Sequence, residues 1–268
     1  MKKYILVFTL ALLVKVSNAQ STASWNGKVC AVVLTYDDAL NIDISNVLPA
    51  LDSFGLKGTF YISDYFGGLR NQVPTWRKAA ANGHELGNHT VFHPCLGNLP
   101  GRSFVSADYD LNHYSFRRIK DEINAMNTLL FSIDGRTERT FAYPCGDTKI
   151  RDTPYIDPLK PQFIAARGVQ SRMQELNNVD LYDIDCFTMN GHSGAEMTEL
   201  VKKAMQSHTL LVFLFHGVGG EHSLNVSVRA HHDLLAFLKQ HQKEIWIAPL
   251  IDIARYIKQH QQPPTTKK

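Results

Sequence analysis

The sequence predicts an α/β fold with parallel strands, because short apolar runs alternate with longer segments of helical period along most of the chain. Several of the short runs are apolar on both faces, which is typical of a buried parallel strand. Gly55 and Gly83 fall where a helix should stop. A barrel and a doubly wound sheet both satisfy this pattern.

The elements follow in chain order. Strand-like runs occupy residues 29–35, 58–62, 85–88, 140–143, 163–166, 181–187, 210–215 and 245–248. Helical patterns lie between them at residues 42–54, 75–82, 116–131, 195–207, 228–240 and 251–259. Residues 94–113 show no clear period, and a loop of that length in a compact domain is usually functional or mobile. We expect this loop to form a wall of a substrate groove.

The first nineteen residues have the pattern of a secretory signal peptide. Lys2 and Lys3 precede an apolar stretch that is too short for a comfortable membrane span, and small residues end at Ala19. We therefore expect an exported protein, periplasmic or secreted. The expected organisation is a signal peptide at 1–19, a short segment at 20–28, one domain at 29–258 and a polar tail at 259–268.

Export changes the charge balance. The full chain carries +3, and residues 1–19 hold Lys2, Lys3 and Lys15 but no acid, so the remaining chain is neutral. A neutral chain lacks the basic footprint of a protein that binds nucleic acid or an anionic membrane. We expect no nucleic-acid partner and no membrane span, and the oligomeric state stays open.

Four cysteines remain after the expected cleavage. Cys30 and Cys186 lie in apolar, strand-like runs and are expected to be buried thiols. Cys95 and Cys145 each follow a proline in a candidate site segment, and export permits a disulfide between them. Connectivity cannot be read from sequence, so this bridge is a hypothesis.

Two acids, Asp37 and Asp38, end the first apolar run, at the strand edge where α/β folds bind ligands. His89 and His93 are spaced so that one helical turn would place both imidazoles on one face. One carboxylate, two imidazoles and a water make a catalytic zinc site, with a second carboxylate free to act as a base. In isolation, the acids could equally cap a helix and the imidazoles could be ordinary core or surface histidines.

Two further segments carry candidate chemistry. His216 ends the apolar run 210–215, where an imidazole could donate a proton at neutral pH or simply be a polar residue that leaves a strand. The segment Tyr143-Pro144-Cys145-Gly146 could aim the Cys145 N–H into a site, or form a plain turn.

Together these segments resemble the polysaccharide deacetylase family, also called the NodB homology domain or carbohydrate esterase family four. Thr35-Tyr36-Asp37-Asp38 is similar to the family's first motif, and His89-Thr90-Val91-Phe92-His93 to its second. Ala142-Tyr143-Pro144-Cys145-Gly146 resembles the third motif and Leu214-Phe215-His216 the fifth. The resemblance covers most of the chain from residue 29 to about 257. It implies a distorted (β/α)7–8 barrel.

The resemblance also implies a zinc-dependent hydrolase that deacetylates a polysaccharide. Asp38, His89 and His93 would hold Zn²⁺, with Co²⁺ or Mn²⁺ as alternatives, and Asp37 would be the general base. His216 would be the general acid, and the Cys145 N–H would stabilise the oxyanion. The substrate would be an acetylated extracytoplasmic glycan, with N-deacetylation of GlcNAc-containing chains the leading reaction and O-deacetylation of an acetylxylan-type glycan the alternative.

The chain departs from the family pattern at two places. Ala142 stands where the family usually has an arginine that braces the catalytic carboxylate, so either another group tunes Asp37 or activity is reduced. The fourth motif has only a loose counterpart at residues 183–187, where an acid could orient His216.

Three other hypotheses are considered. A carbohydrate-binding pseudoenzyme on the same fold would be consistent with Ala142 in place of the family arginine. A zinc peptidase is disfavoured because Thr90 stands where its helix needs Glu. A structural zinc would need a fourth ligand, for which Cys95 is near. The aromatic residues Tyr65, Phe66, Trp76 and Tyr109 could stack on sugar rings, or could be core or random surface residues.

Overall fold

The computed structural model describes residues 25–262. Its twelve strands are β1 (Cys30–Asp37), β2 (Thr59–Ile62), β3 (Glu85–Asn88), β4 (Thr140–Ala142), β5 (Lys149–Ile150), β6 (Thr153–Pro154), β7 (Ala165–Arg167), β8 (Phe187–Thr188), β9 (Leu210–Phe215), β10 (Gly217–Val218), β11 (Asn225–Val226) and β12 (Ile245–Ile247). Its α-helices are α1 (Leu48–Phe54), α2 (Val73–Ala81), α3 (Phe116–Asp134), α4 (Gly194–Ser207), α5 (Val228–Gln240) and α6 (Leu250–His260).

The main sheet is parallel throughout. Its order is β7-β4-β3-β2-β1-β9-β8, and β12 pairs with the start of β1. A parallel bridge between Arg167 and Ile184 links the β7 edge to the segment that leads into β8. The predicted α/β class is confirmed, and the sheet with its helices forms a half-barrel.

Strand β1 is the centre of the sheet and is buried along its whole length. Val32 and Leu34 pack into one apolar cluster with α1, α4 and α5, whereas Ala31 and Val33 pack into a second cluster with α6. This alternation follows from the two-residue period of a strand, and burial of both faces explains the continuous apolar run in the sequence.

Helix ends coincide with capping residues. The side chains of Ser115, Ser193 and Ser227 each accept a hydrogen bond from the first turn of α3, α4 and α5. Gly55 and Gly135 end α1 and α3 with φ of 65° and 69°, in the left-handed region that favours glycine.

A buried carboxylate joins four elements at the end of the sheet opposite the acidic pair. Glu85, at the start of β3, accepts hydrogen bonds from Thr59 of β2, Thr140 of β4 and the backbone N–H of Ile251 in α6. Thr59 Oγ1 in turn accepts from Leu250 N at 2.8 Å. This network fixes the relative positions of the strands that carry functional residues at their other ends.

Several predicted elements have the bounds that were expected. Residues 85–88, 210–215 and 228–240 match β3, β9 and α5. The expected strand at 181–187 is wrong, because residues 181–186 form no strand and only Phe187–Thr188 pairs with β9. The expected helix at 42–54 begins with a π-helical turn, Asp43–Val47.

The predicted domain limits can be compared with the structure only within residues 25–262. The expected signal peptide at 1–19 and residues 263–268 of the tail lie outside them. Trp25, placed in the short leading segment, is buried and its Nε1 donates to His208 O at 2.8 Å. Helix α6 continues to His260, so the tail begins later than residue 259. Among residues 25–262, no helix is long and apolar enough to cross a membrane.

Candidate active site

The carboxyl ends of β1, β3 and β9 bring the predicted acids and imidazoles together. Strand β1 ends at Asp37, and Asp38 follows with φ of 82° while its N–H donates to Tyr61 O at 3.1 Å. This left-handed backbone turns the chain sharply, and backbone strain of this kind is common at functional sites. The two carboxylates are only 3% and 1% exposed.

Asp38 faces both histidines of the predicted pair. Its Oδ1 lies 3.6 Å from His89 Nε2 and 3.4 Å from His93 Nε2. Donor atoms bound to a tetrahedral zinc ion are spaced by about 3.4 Å. Within the described part of the chain, Asp38 Oδ1 and His89 Nε2 are buried and make no hydrogen bond. The donor set therefore fits a small cation that keeps an open position.

The protonation of the imidazoles agrees with this arrangement. His89 Nδ1 lies 2.8 Å from Ala142 O, and a carbonyl only accepts hydrogen bonds, so Nδ1 carries the proton and Nε2 offers a lone pair. His93 Nδ1 lies 3.6 Å from the sulfur of Cys95, which holds no proton in a disulfide. Both Nε2 atoms near Asp38 are thus free to bind a metal.

The two histidines lie on a loop directly after β3, so the helical turn that their spacing would allow does not form. Thr90 and His93 have φ of 63° and 51°, values that a right-handed helix does not permit. The Asn88 side chain accepts from Thr90 N at 2.8 Å, and Thr90 Oγ1 accepts from His93 N at 3.0 Å. These short-range hydrogen bonds hold the loop so that both imidazoles still point at Asp38.

Arg167 braces Asp37 and was missed in the sequence. It is fully buried, and its Nη2 donates to both carboxylate oxygens of Asp37, at 2.7 Å to Oδ1. Arg167 lies opposite Ala142 in the pairing of β4 with β7, so the neighbouring strand supplies the arginine that the family pattern led us to expect at Ala142. The signal was a lone charged residue at the end of an apolar strand.

The electrostatic environment shifts the pKa values of Asp37 and Asp38 in opposite directions. Burial raises the pKa of Asp37, but the Arg167 guanidinium outweighs it and holds that pKa below its usual value. Burial, and then the charge of Asp37, raise the pKa of Asp38 well above its usual range. A cation between Asp38 and the imidazoles would oppose this rise. Asp37 is therefore the acid that is ionised without help from a metal.

His216 lies on the other side of Asp38. Its Nε2 is 3.9 Å from Asp38 Oδ2, and burial lowers its pKa to about 4. The expected acid that orients it is not found among residues 25–262, where its buried Nδ1 has no hydrogen-bond partner. Asp185, one of the loosely matched acids, instead pairs with Arg172.

His222 was also missed in the sequence. Its Nε2 lies 4.0 Å from Asp38 Oδ2, and its ring stacks on His216 with 4.6 Å between centroids and 14° between planes. Asp38, His216 and His222 thus form a second group of potential ligands beside Asp38, His89 and His93. No motif contains His222, so only its place after the glycines at 217–220 could have drawn attention to it.

The acids and imidazoles open into a cavity of about 660 Å³. The loop at 94–113 lines one side, as expected, and the exposed aromatic rings of Tyr65 and Phe104 lie at its wall with Tyr109. Cys145 lines the same cavity. Trp76 does not, because it is fully buried and its Nε1 donates to Gly68 O, so it is a core residue.

The disulfide hypothesis agrees with the structure. Cys95 and Cys145 are bonded, which ties the loop after His93 to the turn at residues 143–146. Cys30 and Cys186 are buried free thiols, as predicted. A thiolate ligand at Cys95 would require the bond to break, which disfavours the structural-zinc alternative.

The chain is similar in sequence to known proteins. Residues 26–154 match the family model for polysaccharide deacetylase. A gellan lyase from a Bacillus species is 24% identical over 263 residues, covering 88% of this chain and 10% of that protein. The peptidoglycan-N-acetylmuramic acid deacetylase of Bacillus subtilis is 25% identical over 120 residues, covering 44% of this chain and 39% of that protein. The chain thus spans well under half the length of these relatives.

Solved structures share the fold. The crystal structure of a candidate polysaccharide deacetylase from Mycobacterium smegmatis matches with a TM-score of 0.63 at 15% identity, covering 90% of this chain and 95% of that one. At an identity this low, the structural match establishes a common architecture only. The chemistry has to be argued from the residues.

Proposed function

This chain belongs to the polysaccharide deacetylase family, whose model it matches over residues 26–154, and we propose that it is a metal-dependent hydrolase that removes acetyl groups from a glycan. The proposed reaction is N-deacetylation of a poly- or oligosaccharide that contains GlcNAc. One observation carries the proposal: a buried Asp38 facing two imidazole lone pairs, beside an Asp37 that Arg167 keeps ionised. That arrangement suits hydrolysis by an activated water.

Asp38, His89 and His93 are the proposed metal ligands. Zn²⁺ suits one carboxylate and two imidazoles, and Co²⁺ and Mn²⁺ accept similar donors. When bound, such an ion polarises the acetyl carbonyl and lowers the pKa of water towards about 7. The orphaned Asp38 Oδ1 and His89 Nε2 support this ligand set, because buried polar atoms without partners are costly.

Asp37 is the proposed general base. It is ionised, adjacent to the ligand Asp38, and held in place by two hydrogen bonds from Arg167. A carboxylate fixed in this way can take the proton of a water that attacks the acetyl carbon. The same guanidinium weakens the carboxylate as a base, so its main contribution is orientation.

The remaining roles fall to Cys145 and His216. The N–H of Cys145, on a turn with φ of 55° at that residue, is proposed to donate to the oxyanion. His216 is proposed to protonate the departing nitrogen. Because burial keeps its imidazole neutral near pH 7, the proton it delivers has to arrive during the reaction.

O-deacetylation is a second candidate, and one observation favours it. His216 Nδ1 has no partner within residues 25–262, so no carboxylate accepts a hydrogen bond from that nitrogen when the ring is protonated. An ester tolerates a weak general acid better than an amide does, because an alkoxide leaves more easily than an amine anion.

We also propose that the protein acts outside the cytoplasm on an acetylated glycan. The leader pattern at residues 1–19 and the disulfide between Cys95 and Cys145 support this, since disulfides persist in oxidising compartments. The exposed rings of Tyr65 and Phe104 at the cavity wall offer flat apolar surfaces for sugar rings.

Acetate release tests the proposal. The full chain is expected to release acetate from chitooligosaccharides, to do so more slowly from acetylxylan, and to lose activity with a chelator. Asp37→Asn should keep its metal and lose about two to four orders of magnitude in rate. Asp38→Ala should lose metal and activity together. Asp121→Asn, an exposed acid on α3, is the matched control.

Three outcomes would count against it. A wild-type protein that binds metal but releases no acetate from either glycan would favour a carbohydrate-binding role. Full turnover by Asp37→Asn would contradict the assignment of the base. Release from acetylxylan alone would replace the amide reaction with the ester reaction.

A further inference from the structure

His222 lies on a loop that the fold anchors at both sides. The loop joins β10 to β11, which pair with each other. The neighbouring Glu221 accepts hydrogen bonds from Asn41 Nδ2 at 2.6 Å and from Ile42 N at 2.8 Å, next to the acidic pair in sequence. The imidazole of His222 is therefore held over the site, with 22% of its side chain exposed to the cavity side.

A backbone hydrogen bond fixes which nitrogen of His222 carries the proton. Leu224 N donates to His222 Nδ1 at 3.0 Å. A backbone N–H can only donate, so Nδ1 is the acceptor and Nε2 carries the proton of the neutral ring. This is the opposite tautomer to His89, whose Nδ1 donates to Ala142 O and whose Nε2 is a lone pair.

The two sides of Asp38 therefore differ in chemistry. Oδ1 faces imidazole lone pairs, whereas Oδ2 faces the Nε2–H of His222 at 4.0 Å. A metal ligand must present a lone pair, so the tautomer of His222 argues against a second metal site with Asp38 and His216. An N–H that points into a reaction cavity is a hydrogen-bond donor.

The stacked rings converge on one point. His216 Nε2 and His222 Nε2 lie 3.9 and 4.0 Å from the same oxygen, and the donor atoms of this group are within 4.8 Å of one another. Because these atoms are at most 4.8 Å apart, one substrate atom can lie about 3 Å from both nitrogens. The atom that meets His216 in the proposed reaction is the nitrogen or oxygen that leaves.

We propose that His222 is a second imidazole of the reaction centre, whose Nε2–H donates a hydrogen bond, beside His216, to the sugar nitrogen or oxygen that leaves the acetyl carbon. This role rests on the proposed deacetylase function. His222 keeps its proton: as the bond between the acyl carbon and the leaving atom breaks, the N–H stabilises the negative charge that grows there, and His216 transfers the proton that completes the amine or alcohol. His222 is not a metal ligand.

Two substrates with different leaving groups test the role. The full chain with its metal is compared on an N-acetylated chitooligosaccharide and on 4-nitrophenyl acetate, whose leaving group needs no donor. His222→Phe keeps a ring for stacking but has no N–H. We expect its kcat on the glycan to fall by about 10- to 100-fold, the loss typical of one hydrogen bond to a charged group. Aryl ester turnover and bound metal should change by less than about threefold.

Two variants act as controls. His222→Gln offers an amide N–H in place of the ring and should recover part of the glycan activity. His192→Phe removes another imidazole whose Nδ1 accepts from a backbone N–H two residues away, at Asn190, and which does not line the cavity. It should leave both activities and the metal content unchanged.

The outcomes separate the alternatives. Loss of metal together with both activities in His222→Phe would make His222 a ligand and overturn the proposal. Equal loss on both substrates with metal retained, or no loss on the glycan, would overturn it as well. A wild-type protein inactive on every acetylated substrate would instead overturn the proposed function, and this role with it.

Discussion

A single guanidinium sets the character of the proposed base. Arg167 comes from β7, whereas the family pattern places its arginine at the position of Ala142 on β4. The two residues are partners across adjacent parallel strands, so the same charge reaches Asp37 from one strand further along the sheet. We therefore expect the chemistry to depend on where the guanidinium lies and not on which of these two positions carries it.

Moving the arginine from position 167 to position 142 tests whether the two positions can support Asp37 equally. Arg167→Ala leaves a buried carboxylate unpaired and should cost about 3–5 kcal/mol of stability and most of the activity. Adding Ala142→Arg to that variant should recover at least about tenfold in kcat, because the guanidinium again lies beside Asp37. Acetate release and the urea midpoint of both variants are the measurements.

A second buried arginine provides the control for the relocation. Arg139 also makes a two-point hydrogen bond to a buried carboxylate, that of Asp134, but it directly precedes β4, at the end of the strand that lies away from the site. Arg139→Ala should lower stability and leave the kcat of the folded protein unchanged. A double variant with no more activity than Arg167→Ala would contradict the equivalence of the two positions.

At this scale the sequence could identify single residues and not their partners. Asp37, Asp38, His89, His93 and His216 stand at the ends of readable apolar runs or in known motifs. Arg167 and His222 act through contacts with residues 130 and 184 positions away in the chain, and local patterns carry no trace of such contacts.

Elements were predictable where one physical signal dominates. The run at 210–215 is apolar at every position, and the bounds of α5 follow from its amphipathic period and the cap at Ser227. The segment at 181–187 is also largely apolar. Its backbone is hydrogen-bonded to Ala166 of β7, however, because Ala166 N donates to Leu181 O and Ile184 N donates to Ala166 O. These bonds hold the segment against β7 in place of a continuous strand. The turn that carries His93 was misjudged because left-handed φ at Thr90 is invisible in a residue pattern.

The disulfide between Cys95 and Cys145 connects two segments that line the candidate site. Each of these segments follows a strand of the main sheet. The bond links the loop after β3 to the turn after β4, and its two cysteines are 50 positions apart in the sequence. Replacing both Cys95 and Cys145 by Ser should lower the free energy of unfolding by about 4 kcal/mol, from the entropy that the cross-link removes from the unfolded chain. Urea unfolding under oxidising and reducing conditions measures this difference.

The unfolding experiment under reducing conditions includes a control. Reductant should lower the stability of the wild type and leave the double serine variant unchanged, because Cys30 and Cys186 are already thiols. Equal wild-type stability in both conditions, with four free thiols by mass, would show that the bridge does not form.

At the scale of the whole molecule, a buried histidine couples stability to pH. His231 of α5 packs against β1, and its Nε2 lies 2.8 Å from the Tyr36 hydroxyl. Burial lowers the pKa of His231 to about 3, whereas an unfolded chain keeps it near 6.5. Unfolding therefore takes up a proton across this range. The contribution of His231 to stability is full above pH about 6.5 and is lost as the pH falls towards 3.

Stability measured between pH 6 and 4 tests this coupling. The wild type should lose about 1.4 kcal/mol per pH unit more than His231→Gln, which has no ring to protonate. His232→Gln changes the exposed neighbour on the same helix and should keep the wild-type slope. Parallel slopes for the wild type and His231→Gln would contradict the assignment.

The pairing of β1 has a consequence for the order in which the candidate site is completed. Ala31 pairs with Leu210, and the ribosome makes β9 long after β1. At about 5–20 residues per second, the intervening chain of about 180 residues delays that partner by about 10–35 s. A nascent chain that stops short of β7 already holds Asp37, Asp38 and both loop histidines but lacks Arg167, His216 and His222. The residues proposed to hold a metal are thus made first, and the residues proposed to complete the reaction centre, from Arg167 onwards, follow them.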